Sequence, residues 1–156
     1  MELHNEKRRI ELDINKVDKD HYDHFLNGAI FEVYDKTAKS HVTTLASGQL
    51  MIVGNDVNEE YEISKDEDFT KIIKTVKTDE NKQIILDVDD GIYYSRKVGD
   101  DKVSKHVIKD GKAVLADAIY GHEYEFKEIK APTSYQLAEK SKAYKVEGDK
   151  LSLIHI

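Results

Sequence analysis

The sequence predicts an all-β sandwich carrying one short inserted helix, and three observations lead there. Short runs of period-two alternation recur along the 156 residues. Turn dipeptides such as Asp90-Gly91, Asp110-Gly111 and Gly148-Asp149 separate several of them. One segment alone departs from period two toward helical spacing. Many short strands at this spacing favour a sandwich or barrel over a mixed fold.

The alternating runs fall at 8–16, 29–35, 41–45, 49–54, 83–88, 92–98, 102–108, 112–119, 123–130, 141–146 and 150–156. The single proline, Pro132, follows the 123–130 run, where its missing N–H ends sheet pairing. Between the fourth and fifth runs, Ser64-Lys65-Asp66-Glu67 has the form of a capping box. Phe69, Ile72, Ile73 and Val76 then recur at i, i+3, i+4 and i+7, which predicts a helix over about residues 65–76. Lys71, Lys74 and Lys77 crowd its end, as the helix dipole favours. Its expected role is to cover an edge or open end of the sandwich. No repeat, low-complexity tract or linker divides the chain, so residues 1–156 are expected to form a single domain.

Composition excludes several function classes. The formal charge is −7 and the lysines are dispersed, which argues against nucleic acid as a partner. No run of about 18 apolar residues is present to span a membrane. The absence of cysteine removes disulfides, thiolate zinc sites and a cysteine nucleophile.

Two strands place charges where apolar residues are expected. Ile10, Leu12 and Ile14 share a face with Lys16, and Tyr124 and Phe126 share one with Glu128. If those faces pack on the core, an amine and a carboxyl reach it too, and neither residue type is fully buried unless paired. A second reading ends the strand at Lys16, with its ammonium in water and its stem on the core. His21-Tyr22-Asp23-His24, flanked by Asp18 and Asp20, offers no evident third or fourth metal ligand. Asp87-Val88-Asp89-Asp90-Gly91 departs from a calcium loop, with Val98 at the twelfth position, and is better read as a hairpin turn.

Lys16-Val17-Asp18, followed by Leu26-Asn27-Gly28-Ala29-Ile30-Phe31-Glu32-Val33, resembles the opening of the Cna B-type (SpaA-like, prealbumin-like) domains of Gram-positive surface proteins and pilins. Tyr124-x-Phe126-x-Glu128-x-x-Ala131-Pro132-x-x-Tyr135 is similar to the Y-x-L-x-E-x-x-A-P-x-G-Y stretch of the same family, with Ser134 in place of the usual Gly. The resemblance covers both ends of the chain, and the middle looks like an insertion. It implies an Ig-like, prealbumin-like sandwich, no cofactor, and an extracellular place in a Gram-positive cell wall as a stalk or backbone module of an adhesin or pilus.

The resemblance also implies an intramolecular isopeptide bond: Lys16 would be the nucleophile and Glu128 the proton shuttle. Such a bond forms once per molecule, so no enzyme is expected. Desolvation moves a lysine and a glutamate toward their neutral forms, which is what attack on a side-chain carbonyl requires. The family places the acceptor Asn or Asp on the last strand, yet 150–156 contains neither. The expectation is a chain cut just before the end of that strand, able to take a peptide strand carrying Asn or Asp by strand addition. The alternative is a ligand-binding adhesin sandwich without the chemistry. Neighbouring domains of a surface protein and a host ligand complete the expected partners.

Overall fold

The computed structural model describes residues 9–15, 17–18, 21–132, 142–146 and 152–155, without the side chains of 15, 17–18, 21–25, 142, 144 and 152–155. Among these residues the chain forms fifteen strands and no helix. They are β1 (Arg9–Asn15), β2 (Val17–Asp18), β3 (His21–Phe25), β4 (Ile30–Asp35), β5 (Ser40–Ala46), β6 (Leu50–Val53), β7 (Glu60–Ser64), β8 (Ile72–Lys77), β9 (Gln83–Leu86), β10 (Gly91–Lys97), β11 (Ser104–Ile108), β12 (Lys112–Ile119), β13 (Glu123–Lys130), β14 (Lys142–Lys145) and β15 (Ser152–His155).

The two ends of the chain build one sandwich. One layer has the order β12-β1-β15 and the other β14-β13-β4-β5. Alternation decides what lies between them. Ile10, Leu12, Ile14, Ala113, Leu115 and Ala118 face Ala29, Phe31, Val33, Tyr124, Phe126 and Val146 in one buried cluster. The Tyr124 hydroxyl accepts from the Ile119 amide at 2.7 Å, so the aromatic ring fills the core without stranding its polar tip.

The middle of the chain builds a second core instead of a helical cover. Strands β6 and β9 pair with each other, and β11-β10-β7-β8 form a separate sheet. Leu50, Ile52, Ile63, Ile84, Tyr93 and Ile108 meet in its interior. Ile30 and Ala46 of the first sandwich contact Met51 in a third small cluster that joins the two.

The helix expected over 65–76 is therefore a loop followed by β8. Two forces override the apolar spacing. Asp66 gathers the segment into a local turn: its carboxylate accepts from the Thr70 and Lys71 amides and from the hydroxyls of Ser64 and Thr70. Those bonds, the Thr70 hydroxyl foremost, hold the Asp66 carboxyl well below the usual range. Phe69 takes a left-handed backbone at φ 56°, which no helix accommodates, and its ring is covered by the Arg96 guanidinium at 4.1 Å. Beyond it, the β-branched Ile72, Thr75 and Val76 pair with β7, which supplies the tertiary partner that sequence spacing cannot see. The 87–90 segment is likewise a crossover and not a hairpin, because β9 pairs with β6 whereas β10 pairs with β7 and β11.

The Leu26-Asn27-Gly28-Ala29 stretch is explained by its contacts. Gly28 adopts φ 91°, a conformation that favours glycine, and Ala29 is fully buried with its amide on the Ser47 hydroxyl at 3.0 Å. Asn27 bridges outward, accepting from the Gly111 amide and donating to Asp110. A Cβ on Gly48 would lie 2.0 Å from the Asn27 oxygen, so a bare backbone at 48 is what lets this bridge form.

Candidate functional site

Strand β15 lies parallel to β1 and directly beside it, in the register Leu12↔Ser152, Asp13↔Leu153, Ile14↔Ile154 and Asn15↔His155. First and last strands are thus ladder neighbours, at the centre and edge of one sheet. Across the core, β13 presents Tyr124, Phe126 and Glu128 as successive buried positions, and Glu128 is only 5% exposed. Glu128 sits opposite Phe31 of β4, next to the irregularity between Glu128 and Lys130. The parity expected from sequence holds: this carboxyl lies on the face that packs against Ile10, Leu12 and Ile14. Lys16 lies outside the described residues, and His21 and His24 lie on β3, where side chains are not described.

The opposite face of β1 carries a charged cluster. Asp13 is fully buried, with one carboxylate oxygen 2.9 Å from Lys109 Nζ and 4.0 Å from Lys112 Nζ. Lys109 Nζ also lies 2.6 Å from Glu11 Oε2. The second Asp13 oxygen is buried without a hydrogen-bond partner among the described residues. Burial pushes the Asp13 carboxyl up; the Lys109 hydrogen bond takes part of this back and the neighbouring Glu11 adds to it, leaving the carboxyl above its ordinary value. On Glu11 burial acts the same way, but the bonds from Lys109 and Asp13 prevail and hold that carboxyl low. On Lys109 burial is outweighed by its two carboxylate partners, so its amine is held above its ordinary value. A lysine, an aspartate and a glutamate in contact contain the parts of an amide-forming site. The amine here is locked protonated, however, and a protonated amine is no nucleophile. The cluster is an electrostatic clamp between β1 and the β11–β12 turn.

Sequence reasoning missed this clamp. The signal was present, since Glu11 and Asp13 alternate with Ile10, Leu12 and Ile14. That pattern ordinarily marks a solvated face, and only the fold brings Lys109 and Lys112 over it.

A third polar arrangement lies in the second sheet. The hydroxyl of Ser95, itself buried, is 2.7 Å from His106 Nε2 across the β10–β11 pair. Burial lowers the His106 imidazole from its ordinary 6.5 to about 4. Between those values the unfolded chain holds a proton that the folded chain does not, so stability must fall as pH falls from about 6.5 to about 4. The loss amounts to at most about 3 kcal/mol, less to the extent that the ring edge reaches water. Urea unfolding of His106→Gln across this range should show a flatter pH dependence than the wild type. An unchanged slope would remove His106 as its source.

The family model described as SpaA: Prealbumin-like fold domain matches residues 10–155. No curated protein matches the chain. Among the solved structures similar to it are "The Bacillus anthracis TIE protein", at 14% identity and a TM-score of 0.34, and "Structure of the Streptococcal ancillary pilin", at 12% and 0.25. The aligned regions cover 95% and 94% of this chain but 50% and 61% of those chains. The chain thus spans about half to three fifths of their length. At these identities and scores neither likeness carries an argument about function.

Proposed function

Starting from the membership of this chain in the SpaA family of prealbumin-like fold domains, we propose that it is a load-bearing structural module of a Gram-positive cell-surface adhesin or pilin. The carrying observation is the parallel β1–β15 ladder. In a parallel pair, tension applied at the start of one strand and the end of the other pulls along the strands. Such shear loads the slanted ladder bonds together instead of opening them one at a time. A stalk element needs that geometry, and no catalytic turnover.

The same ladder supports a covalent reinforcement. Burial of Ile10, Leu12 and Ile14 sets the parity of β1, and two residues further on that parity would bring Lys16 to the face where Glu128 is buried. In our reading a neutral Lys16 amine attacks the side-chain carbonyl of an Asn or Asp on a strand lying beside β1, while Glu128 carries the proton to the departing ammonia or water. Strand β15 itself carries Ser152, Leu153, Ile154 and His155, none with a side-chain carbonyl. On β12, the other strand beside β1, Asp117 is exposed, so in our reading the acceptor comes from a further strand segment, in the same polypeptide or supplied as a peptide.

Intact mass spectrometry tests this. The protein is incubated with a strand peptide of alternating apolar residues bearing one Asn. The expected product is an adduct lighter than the sum of its parts by about 17 Da, the mass of ammonia released on amide formation. Lys16→Ala and Glu128→Gln should both abolish it, with circular dichroism confirming that each variant folds. Folded wild-type protein that forms no adduct with the Asn peptide or its Asp counterpart would overturn the chemistry and leave the load-bearing reading standing.

A further inference from the structure

A cleft of about 810 Å³ runs between the two sandwiches, within the roughly 300–1,000 Å³ range of ligand sites. Strands β5, β6, β11 and β12 give the longest stretches of its lining, to which β7 adds Tyr61 and β10 adds Ser95, Arg96 and Lys97. Their contributions are unbroken stretches, 41–46 from β5, 51–55 from β6 and beyond, 102–108 through β11, and 114–117 from β12. A strand that turns one face to a cavity contributes every second residue. Consecutive residues line a cavity when the edge of the strand borders it.

The sheet topology agrees. Among the described residues each of these four strands has one hydrogen-bonded neighbour strand: β4, β9, β10 and β1 respectively. Their second edges therefore carry backbone N–H and C=O groups that pair with no described strand. The connections at 47–49 and 109–111 are tied together near one end, where the Gly48 amide donates to the Lys112 carbonyl at 2.8 Å.

The walls indicate what kind of molecule fits. Several of their side chains are engaged, Ser95 with His106, Arg96 with Glu62 and Lys97 with Glu59, whereas Asp100, Lys102, Lys105 and Asp117 are exposed. Beside these charges the lining offers main chain and apolar surface. Val42, Val53 and Val103 stand at 42%, 55% and 38% exposure on the lining, above the buried Met51 and Leu115. An extended polypeptide would find both things it needs: edge donors and acceptors for its backbone, and apolar contacts for alternate side chains.

We infer that this cleft binds an extended segment of a partner polypeptide by strand addition, with β-branched or other apolar side chains at alternate positions directed to the cleft. The inference is independent of the Lys16–Glu128 chemistry, because it uses other strands and forms no covalent bond.

Main-chain recognition tolerates sequence, so a generic strand suffices as the probe. A fluorescein-labelled decapeptide of alternating Val and Thr, titrated with the intact chain and followed by anisotropy, should bind saturably. Peptides of the same sequence N-methylated at alternate amides, one for each register, keep the side chains and remove the donors of one edge. One of the two should lose at least tenfold in affinity. Val53→Lys and Val103→Lys, both at exposed positions, should weaken the parent peptide by a similar factor while leaving the urea midpoint unchanged. Amide NMR shifts on binding should map to β5, β6, β11 and β12. Absence of saturable binding at millimolar peptide would overturn the inference. So would equal affinity for both methylated peptides, which would indicate apolar adhesion alone, or self-association of the chain through this cleft that the peptide fails to displace.

Discussion

Lys109→Met should lower the unfolding free energy by roughly 2–4 kcal/mol at neutral pH. The substitution keeps the length of the side chain and removes its charge. Asp13 would then remain fully buried with Lys112, 4.0 Å away, as its nearest described cation. Removing one partner of a buried pair costs about 3–5 kcal/mol, because the surviving charge has neither water nor a counter-ion. Lys109 is 34% exposed, which lowers the expectation, since water already screens part of its interaction. The pH dependence carries the more specific signature. Asp13 is already pushed toward its protonated form by burial, and loss of Lys109 pushes it further. Once the carboxyl is protonated no buried charge is left, so the penalty should shrink on acidification. A second substitution, Asp13→Asn, should recover part of the loss at neutral pH. Urea denaturation at neutral and acid pH checks both. A loss below about 0.5 kcal/mol at neutral pH would place the cluster with ordinary surface ion pairs.

How legible the molecule was in its sequence depended on whether neighbours in space were neighbours in pattern. Strands β4 and β13 could be read from alternation because chiefly one face of each is buried, and β1 and β12 could be read the same way although Asp13 and Val114 on their other faces are buried too. Glu128 could be placed inside for the same reason, since Tyr124 and Phe126 fixed its parity. The segment at 64–77 misled because its apolar residues satisfy helical spacing by chance. Ile72 and Ile73 are about half exposed on β8, so they do not form the buried stripe that the spacing suggested. Strand β7 was missed for a related reason: its Tyr61 and Ile63 become core only when β10 and β8 flank them. The clamp at Asp13 was illegible in principle from local pattern. Asp13 and Lys109 are 96 residues apart, and only the β1–β12 ladder, with the turn preceding β12, brings them into contact. The cleft was hidden too, because an edge is defined by what fails to pair with it.

Phe126→Ala should be the most damaging single change, at about 3–5 kcal/mol, the range for truncating a buried aromatic. Phe126 is 1% exposed at the middle of β13, in the cluster that joins the two layers of the first sandwich. Its neighbours on both sides are held by sheet ladders, with Val33 directly opposite on β4, so the backbone has little freedom to collapse into the space left behind. Phe126→Leu, which leaves a smaller void, should cost less, and the difference between the two measures how rigid the site is. The same residue bears on the proposed chemistry. It precedes Glu128 by two positions on the same buried face, and a cavity there admits water beside the carboxyl. Water there loosens the packing that fixes the position of the carboxyl. In our reading, then, Phe126→Leu should remain folded and yet slow formation of the Asn-peptide adduct, whereas a substitution in the second core such as Ile63→Val should cost stability without changing that rate. Equal rates for Phe126→Leu and the wild type would separate the packing of this face from the reaction, and place Glu128 as a buried structural carboxyl alone.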